Sequence, residues 1–274
     1  MENIHSLVED ESKMIVVGCD VGSMTTKAVA LKNDTILGSE LIRSRATGGQ
    51  SAVEVMDRLL KKLSLRSSDI VWCTGTGYGR YVVPFANDNV SEISCHGRGA
   101  KWLAPPLRTI IDVGGQDFKV IRVDEKGWVE DFGMNNKCAA GTGRSLEIMA
   151  KSLGVDISEL GPLSLKATNP VVLHKPCYLM AQIEIRNLIF EGREAADIAA
   201  GVNDITARSI FNLVRAVGIK REVGMTGGVS KHVGVVKSLE RLLETTFVQF
   251  SVDPQLIGAI GAALFAADKA KKAA

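Results

Sequence analysis

The chain has 274 residues, of which 46% are hydrophobic and 23% are charged, a composition typical of a folded globular protein. Its formal net charge of +2 excludes the strong basic field of a nucleic-acid-binding protein, so no nucleic-acid partner is expected. The sequence has no apolar run near the ~20 residues that cross a bilayer, so no membrane partner is expected either. Residues 1–13 are acidic and polar, unlike a targeting peptide, and we expect them to be a disordered lead. These features predict a cytoplasmic protein.

The predicted elements fall into two series that follow the same plan of strands first and helices later. In the first series, β-branched runs and helical spacing predict strands at 14–17, 28–31, 36–43 and 70–73 and helices at 52–63 and 91–103. In the second series, the same signals predict strands at 109–113, 118–123, 128–134, 223–225 and 246–250 and helices at 144–153, 178–190, 195–217, 233–243 and 256–267. We therefore expect two α/β lobes, 14–106 and 107–274, with the last helix a candidate to cross back onto the first lobe.

Two loops of the same type are the most informative feature of the chain. Asp20-Val21-Gly22 and Asp112-Val113-Gly114 each follow a β-branched strand and precede a strand that carries a lysine. A bend of this kind presents backbone N–H groups to an anion and a carboxylate to its metal. One short glycine motif is equally compatible with a plain hairpin, but its repetition predicts two related lobes that hold a nucleotide phosphate tail.

We assign roles to both loops. Asp20 and Asp112 are expected to hold Mg²⁺ through water, with Gln116 orienting the hydrolytic water; the alternative for Gln116 is a cap of the turn. The residues expected to contact ATP or ADP in these loops are Gly22, Ser23, Met24, Thr25, Lys27, Gly114, Gly115 and Asp117. A third loop, Thr226-Gly227-Gly228-Val229, follows a strand and precedes a helix. Its two glycines, with Val229, allow a flat ligand such as adenosine to approach the backbone.

The stretch Asn136-Lys137-Cys138-Ala139-Ala140-Gly141-Thr142-Gly143-Arg144 places a cysteine just before a predicted helix, and Gly141 is a further expected nucleotide contact. Cys177 also precedes a helix, and a helix N-terminus favours a thiolate. A single such cysteine is more commonly a buried thiol, but two of them indicate a shared ligand role. Two thiolates do not complete a [4Fe–4S] cluster, whereas a twofold dimer supplies four.

The other cysteines, Cys19, Cys73 and Cys95, lie in strand or helix contexts and are interpreted as core thiols. His96, beside Cys95, is interpreted as a helix residue with satisfied hydrogen bonds and not as a metal ligand.

Together these stretches resemble the activators of 2-hydroxyacyl-CoA dehydratases, which belong to a wider family that includes the ATP-binding subunits of benzoyl-CoA reductase. The resemblance runs from about Ile15 to about Ala267, and the motif around Cys138 is its most specific part. It implies an actin-like (ribonuclease H-like) α/β ATPase fold, with the nucleotide in the cleft between two duplicated lobes.

The resemblance also implies a homodimer with one [4Fe–4S] cluster between the subunits, held by Cys138 and Cys177. ATP hydrolysis would drive a low-potential electron from ferredoxin or flavodoxin into a CoA-ester dehydratase or reductase. The helix after Cys177 departs from the family pattern, because Gln182 replaces an acidic residue and the helix is more apolar. Two alternatives remain open at this point: a small-molecule kinase of the same fold, and a non-catalytic ATP-binding regulator.

Overall fold

The computed structural model describes residues 14–135, 140–174 and 177–273. The predicted lead at 1–13 and the segment 136–139, which contains Cys138, lie outside the described residues. In chain order the strands are β1 Ile15–Val21, β2 Thr25–Lys32, β3 Thr35–Arg43, β4 Ile70–Thr76, β5 Asp88–Asn89, β6 Thr109–Val113, β7 Phe118–Val123, β8 Val129–Met134 and β9 Val223–Thr226. The helices are α1 Gly48–Leu63, α2 Glu92–Leu103, α3 Gly143–Leu153, α4 Ile157–Ser164, α5 Tyr178–Phe190, α6 Ala195–Val217, α7 Val233–Leu243 and α8 Ile257–Ala273.

These elements form two compact units. Unit 1 contains the described residues of 1–105 together with 125–128 and 251–273, and unit 2 contains the described residues of 106–124 and 129–250. The sequence suggested a boundary near residue 106, with the last helix a candidate to cross back onto the first lobe, and in the structure α8 belongs to unit 1. The reason is local packing: α8 is rich in alanine and glycine, and its Ala259 lies directly against Gly18 of β1.

Each unit is built on a mixed sheet with the same strand order around its first strand. In unit 1 the order is β3-β2-β1-β4-β5, with β2 antiparallel and β4 parallel to β1. In unit 2 the order is β8-β7-β6-β9, with β7 antiparallel and β9 parallel to β6. Each unit therefore starts with a hairpin and returns to its first strand by a crossover connection, which supports an internal duplication.

The core of unit 1 lies on both faces of its sheet. Alternate residues of β1 point to opposite faces, so Val17 packs with α1 while Val16 packs with α8. Helix α1 begins at the cap residue Thr47, whose side chain accepts a hydrogen bond from the Gln50 N–H, and its apolar stripe buries Leu59 completely. Full burial of one such leucine contributes about 1.5–3 kcal/mol to folding.

The core of unit 2 is one cluster in which residues of the sheet pack against α3 to α7. Helix α4 is absent from the sequence-based expectations because Gly161 and Pro162 interrupt its helical signal. Asp156 caps it and forms a capping box with Glu159, which offsets part of that cost. The predicted strand at 246–250 is reduced to a single bridge between Gly224 and Val248. None of the described helices is both long and apolar enough to span a bilayer.

Candidate functional site

The first Asp-Val-Gly loop closes the hairpin between β1 and β2. Asp20 lies directly opposite Lys27 in the register, and Lys27 Nζ is 3.0 Å from Asp20 Oδ2. Both side chains are buried, so each neutralises a charge that would otherwise be costly inside the protein. Asp20 and Lys27 therefore form a buried ion pair at this loop.

The bend itself is tight. The Gly22 N–H donates to the Thr25 carbonyl over 3.1 Å, and a side chain on Gly22 would meet that carbonyl at 2.8 Å. Ser44 supports the bend, because its N–H donates to the Met24 carbonyl and its hydroxyl donates to the Gly22 carbonyl. Ser23 is exposed at the tip. The loop thus has a fixed backbone shape, as an anion-binding turn requires.

A second loop, at the end of β4, meets the Asp20 carboxylate and was not assigned a role from the sequence. Gly77 has φ +86°, and a Cβ on it would overlap Asp20 Oδ1 and lie 2.7 Å from the Val21 carbonyl oxygen. Thr76 pairs with Asp20 across the parallel register of β1 and β4. The glycine content of this turn is the signal that could have located it, since only glycine combines positive φ with such close approach.

The second Asp-Val-Gly loop repeats this arrangement in unit 2. Asp112 lies opposite Lys119 across β6 and β7 and beside Thr226 across β6 and β9. The Thr226 hydroxyl donates to Asp112 Oδ1 over 2.9 Å. Lys119 Nζ lies 2.7 Å from Asp117 Oδ1 and 3.8 Å from Asp112 Oδ2, so this lysine contacts two carboxylates. Asp117, whose side chain is 33% exposed, is thereby paired with the buried Lys119.

Gly227 is the counterpart of Gly77. Its φ is +82°, and a Cβ on it would lie against the Val113 carbonyl oxygen and 2.9 Å from Asp112 Oδ1. Each unit therefore places an aspartate between a lysine on the next strand and a positive-φ glycine after the parallel strand. The internal duplication is therefore visible in the positions of individual side chains as well as in the sequence motifs.

The tip of the second loop leaves Gln116 exposed. The Gly114 N–H donates to the Asp117 carbonyl over 2.9 Å, which closes the turn. At the start of α3, the N–H groups of Gly143 and Arg144 donate to the carbonyls of Gly114 and Gly115, each over 2.9 Å. The start of α3 thus fixes the loop that presents the Gln116 side chain.

The remaining predicted nucleotide contacts differ in which of their atoms a ligand could reach. Gly228 and Val229 begin a 3₁₀ turn, Gly228–Lys231, and the Val229 side chain is buried in the core of unit 2. Only the backbone of Val229 is therefore available to a ligand. Gly141 has φ +87° and lies against Phe118, where a Cβ would be 3.0 Å from the ring.

Cys177 differs from the three core cysteines. It is a free, partly exposed thiol at the N-cap of α5, with no side-chain capping bond, so its sulfur is not used by the helix. The thiols of Cys19, Cys73 and Cys95 are buried, and burial raises the pKa of Cys73 and of Cys95 to about 12. In the described part of the chain, no three His, Cys, Asp or Glu side chains form a metal-binding cluster. A partly exposed thiol at a helix N-terminus fits the donor chemistry of an iron–sulfur ligand.

Two mixed sheets with paired Asp–Lys sites at their first hairpins define an actin-like ATPase fold, as expected from the sequence. A family model describing the BadF/BadG/BcrA/BcrD ATPase family matches residues 17–266, so the chain belongs to that family. The 2-hydroxyisocaproyl-CoA dehydratase activator of Clostridioides difficile is 42% identical, over 94% of this chain and 97% of the relative.

The activator of lactoyl-CoA dehydratase from Anaerotignum propionicum is 39% identical, over 94% of this chain and 100% of its own length. A solved structure of the activator of the 2-hydroxyisocaproyl-CoA dehydratase from Clostridium difficile, with bound ADPNP, matches with a TM-score of 0.90 and 41% identity. That match covers 95% of this chain and 97% of the solved one. These similarities confirm the resemblance inferred from the motifs.

Proposed function

We propose that this chain is an ATP-hydrolysing iron–sulfur activator that delivers a low-potential electron to a CoA-ester dehydratase or reductase. The observation that carries the ATPase part is the duplicated aspartate site, in which Asp20 and Asp112 are each buried beside a lysine and a positive-φ glycine. Relatives named as activators of CoA-ester dehydratases, and one named as a benzoyl-CoA reductase subunit, support the choice of partner.

In this proposal Asp20 and Asp112 hold a hydrated Mg²⁺, since carboxylate oxygens and water are the ligands that this ion prefers. When bound, the metal neutralises charge on the phosphates. Lys27 and Lys119 hold the two carboxylates in position, because each lysine is itself buried against its aspartate. Gln116, exposed at its loop tip, orients the attacking water through its amide.

The electron-transfer part rests on Cys138 and Cys177. Cys177 would bind a cluster through a sulfur that makes no capping bond, and the N-terminus of α5 places its positive dipole end beside the negative charge. A [4Fe–4S] cluster supplies one-electron chemistry at low potential. We assign the protein to the cytoplasm, where thiols stay reduced, with ferredoxin or flavodoxin as the electron donor.

A homodimer completes the ligand set and is supported by the surface of α5. Leu179, Met180 and Ile183 are 58%, 50% and 62% exposed, whereas Ala181 and Ile185 of the same helix are buried. Residues three and four apart share a helix face, so these three form one apolar stripe beginning next to Cys177. Pairing with a second copy would bury the stripe and bring a second Cys177 to the cluster.

The experiment is an anaerobic absorption spectrum with iron and sulfide assays and a solution mass. The wild type should be a dimer with about four irons per dimer. Cys138→Ser and Cys177→Ser should each be iron-poor, while the matched control Cys73→Ser should keep its iron because Cys73 lies in the core. Full iron in both of the first two variants, or a monomer that retains the cluster, would contradict the bridging cluster.

A further inference from the structure

His96 and Asp20 meet beside the backbone of Gly258. His96 lies on α2 and is 6% exposed, and Asp20 is 4% exposed. A methyl group built on Gly258 would lie 2.9 Å from His96 Nε2 and 3.0 Å from Asp20 Oδ2. The imidazole and the carboxylate therefore face the same point next to this glycine.

Glycines make this approach possible by bringing α8 close to α2 and β1. A Cβ on Gly99 of α2 would overlap the Ile257 carbonyl oxygen, and one on Gly261 of α8 would overlap the Cys95 carbonyl oxygen. On the other side of α8, a Cβ on Gly18 would overlap the Ala259 carbonyl oxygen. Because the backbone of α8 contacts the backbones of both α2 and β1, His96 on α2 lies close to the end of β1, where Asp20 is.

The two aspartate sites differ in the group that supports the carboxylate. In unit 2 the Thr226 hydroxyl donates to Asp112 Oδ1. In unit 1 the equivalent Thr76 hydroxyl is buried, faces the Cys95 thiol and makes no hydrogen bond of regular geometry within the described structure. Asp20 thus lacks the hydroxyl that its twin has, while the imidazole of His96 lies next to its Oδ2 atom.

We propose that His96 is a positioning residue for Asp20. Its Nε2 atom, acting across the gap in front of Gly258, fixes the orientation of the carboxylate whose other support is Lys27. This inference rests on the proposed function, because it concerns the group that would hold the hydrated Mg²⁺. Groups that orient a metal-holding carboxylate typically change metal affinity by about 10- to 100-fold when removed.

The test measures, in anaerobically purified, full-length protein, the Kd of Mg²⁺ by calorimetry with a non-hydrolysable ATP analogue bound. It also measures the Mg²⁺ concentration that gives half-maximal ATP hydrolysis, and the two values should change together. His96→Asn, whose amide is shorter than the imidazole, should raise that concentration about 10- to 100-fold while turnover at saturating Mg²⁺ stays near the wild-type value. His96→Gln, whose longer amide extends further, should restore most of the wild-type requirement. Gly258→Ala, which inserts a methyl group between the two side chains, should behave like His96→Asn.

Gly154→Ala is the matched control, because Gly154 has φ +78° but nothing lies within 4 Å of its added Cβ, so this variant carries backbone strain without touching His96 or Asp20. It should lower the melting temperature and leave the Mg²⁺ requirement unchanged. An unchanged requirement in both His96→Asn and Gly258→Ala would overturn the proposal. Asp20→Asn distinguishes a failure of the proposed function from a failure of the positioning role. If Asp20→Asn also keeps the wild-type Mg²⁺ requirement, the proposed function fails. A large effect of Asp20→Asn with no effect of the His96 variants rejects only the positioning role.

Discussion

Asp20 and Asp112 occupy the same position in the two sheets of this protein. Each lies opposite a lysine on the following antiparallel strand and beside a threonine on the neighbouring parallel strand. Each is also covered by a positive-φ glycine that follows that parallel strand. The same local arrangement therefore buries a carboxylate at the end of β1 and another at the end of β6, each close to a lysine side chain.

Replacing either covering glycine tests whether the carboxylates need their present positions. Gly77→Ala and Gly227→Ala would each place a methyl group on the adjacent aspartate, so ATP hydrolysis should fall by about a hundredfold, as expected for a 1 Å misplacement. Gly154→Ala is the control, since Gly154 has φ +78° but nothing lies within 4 Å of its added Cβ. It should cost only about 1–2 kcal/mol of stability from the positive φ. Equal loss of activity in all three variants would reject the contact with the carboxylates.

Gln116 should affect the chemical step and not nucleotide binding. Its side chain is exposed at the loop tip, so Gln116→Ala should leave the fold intact. Loss of a water-orienting amide should lower the rate of ATP hydrolysis about ten- to a thousandfold. Isothermal titration with a non-hydrolysable ATP analogue should give a nearly unchanged Kd. A parallel loss of binding and rate would identify Gln116 as a cap of the turn.

Strand and helix periodicity is strong on both sides of each Asp-Val-Gly loop, so the pattern was sufficient to predict two α/β lobes, and the resemblance carried by the motifs implied the actin-like fold. The roles of Gly77 and Thr226 could not be predicted in the same way. Both lie far along the chain from the aspartates they contact, and only the parallel pairing of β4 with β1 and of β9 with β6 brings them together. His96 was interpreted as an ordinary helix residue for the same reason: its proximity to Asp20 depends on α8, a C-terminal element.

The cysteines should separate into two classes by chemical reactivity. Burial raises the pKa of Cys73 and of Cys95 to about 12, so at pH 8 both thiols are almost entirely protonated. In iron-free native protein, iodoacetamide at pH 8 should therefore label the partly exposed Cys177 and spare Cys19, Cys73 and Cys95. Mass spectrometry of peptides checks this, with urea-unfolded protein as the fully labelled reference. Rapid native labelling of Cys73 would show that the core assignment is wrong.

His232 should make unit 2 sensitive to acid. Burial lowers the pKa of His232 below its ordinary value of about 6.5, and neither ring nitrogen has a hydrogen-bond partner among the described residues. As the pH falls below about 6.5, the unfolded chain binds a proton before the native chain does, so stability decreases in that window. His232→Asn should weaken the acid dependence of the urea midpoint between pH 7.5 and 5.5. His174→Asn, at a side chain that is 73% exposed, is the control, and identical acid dependence in wild type and His232→Asn would refute this assignment.

The most direct test of the account is the rate of Mg²⁺-dependent ATP hydrolysis by wild type, Asp20→Asn, Asp112→Asn and Asp34→Asn, all purified without oxygen. Asp34 is the matched control because it lies exposed in the turn between β2 and β3, with φ 59°, a conformation that asparagine tolerates. We predict that Asp20→Asn and Asp112→Asn each lose about a hundredfold or more in rate while remaining folded, and that Asp34→Asn matches the wild type. A wild-type rate in folded Asp20→Asn would contradict the assignment of the duplicated aspartates to ATP hydrolysis.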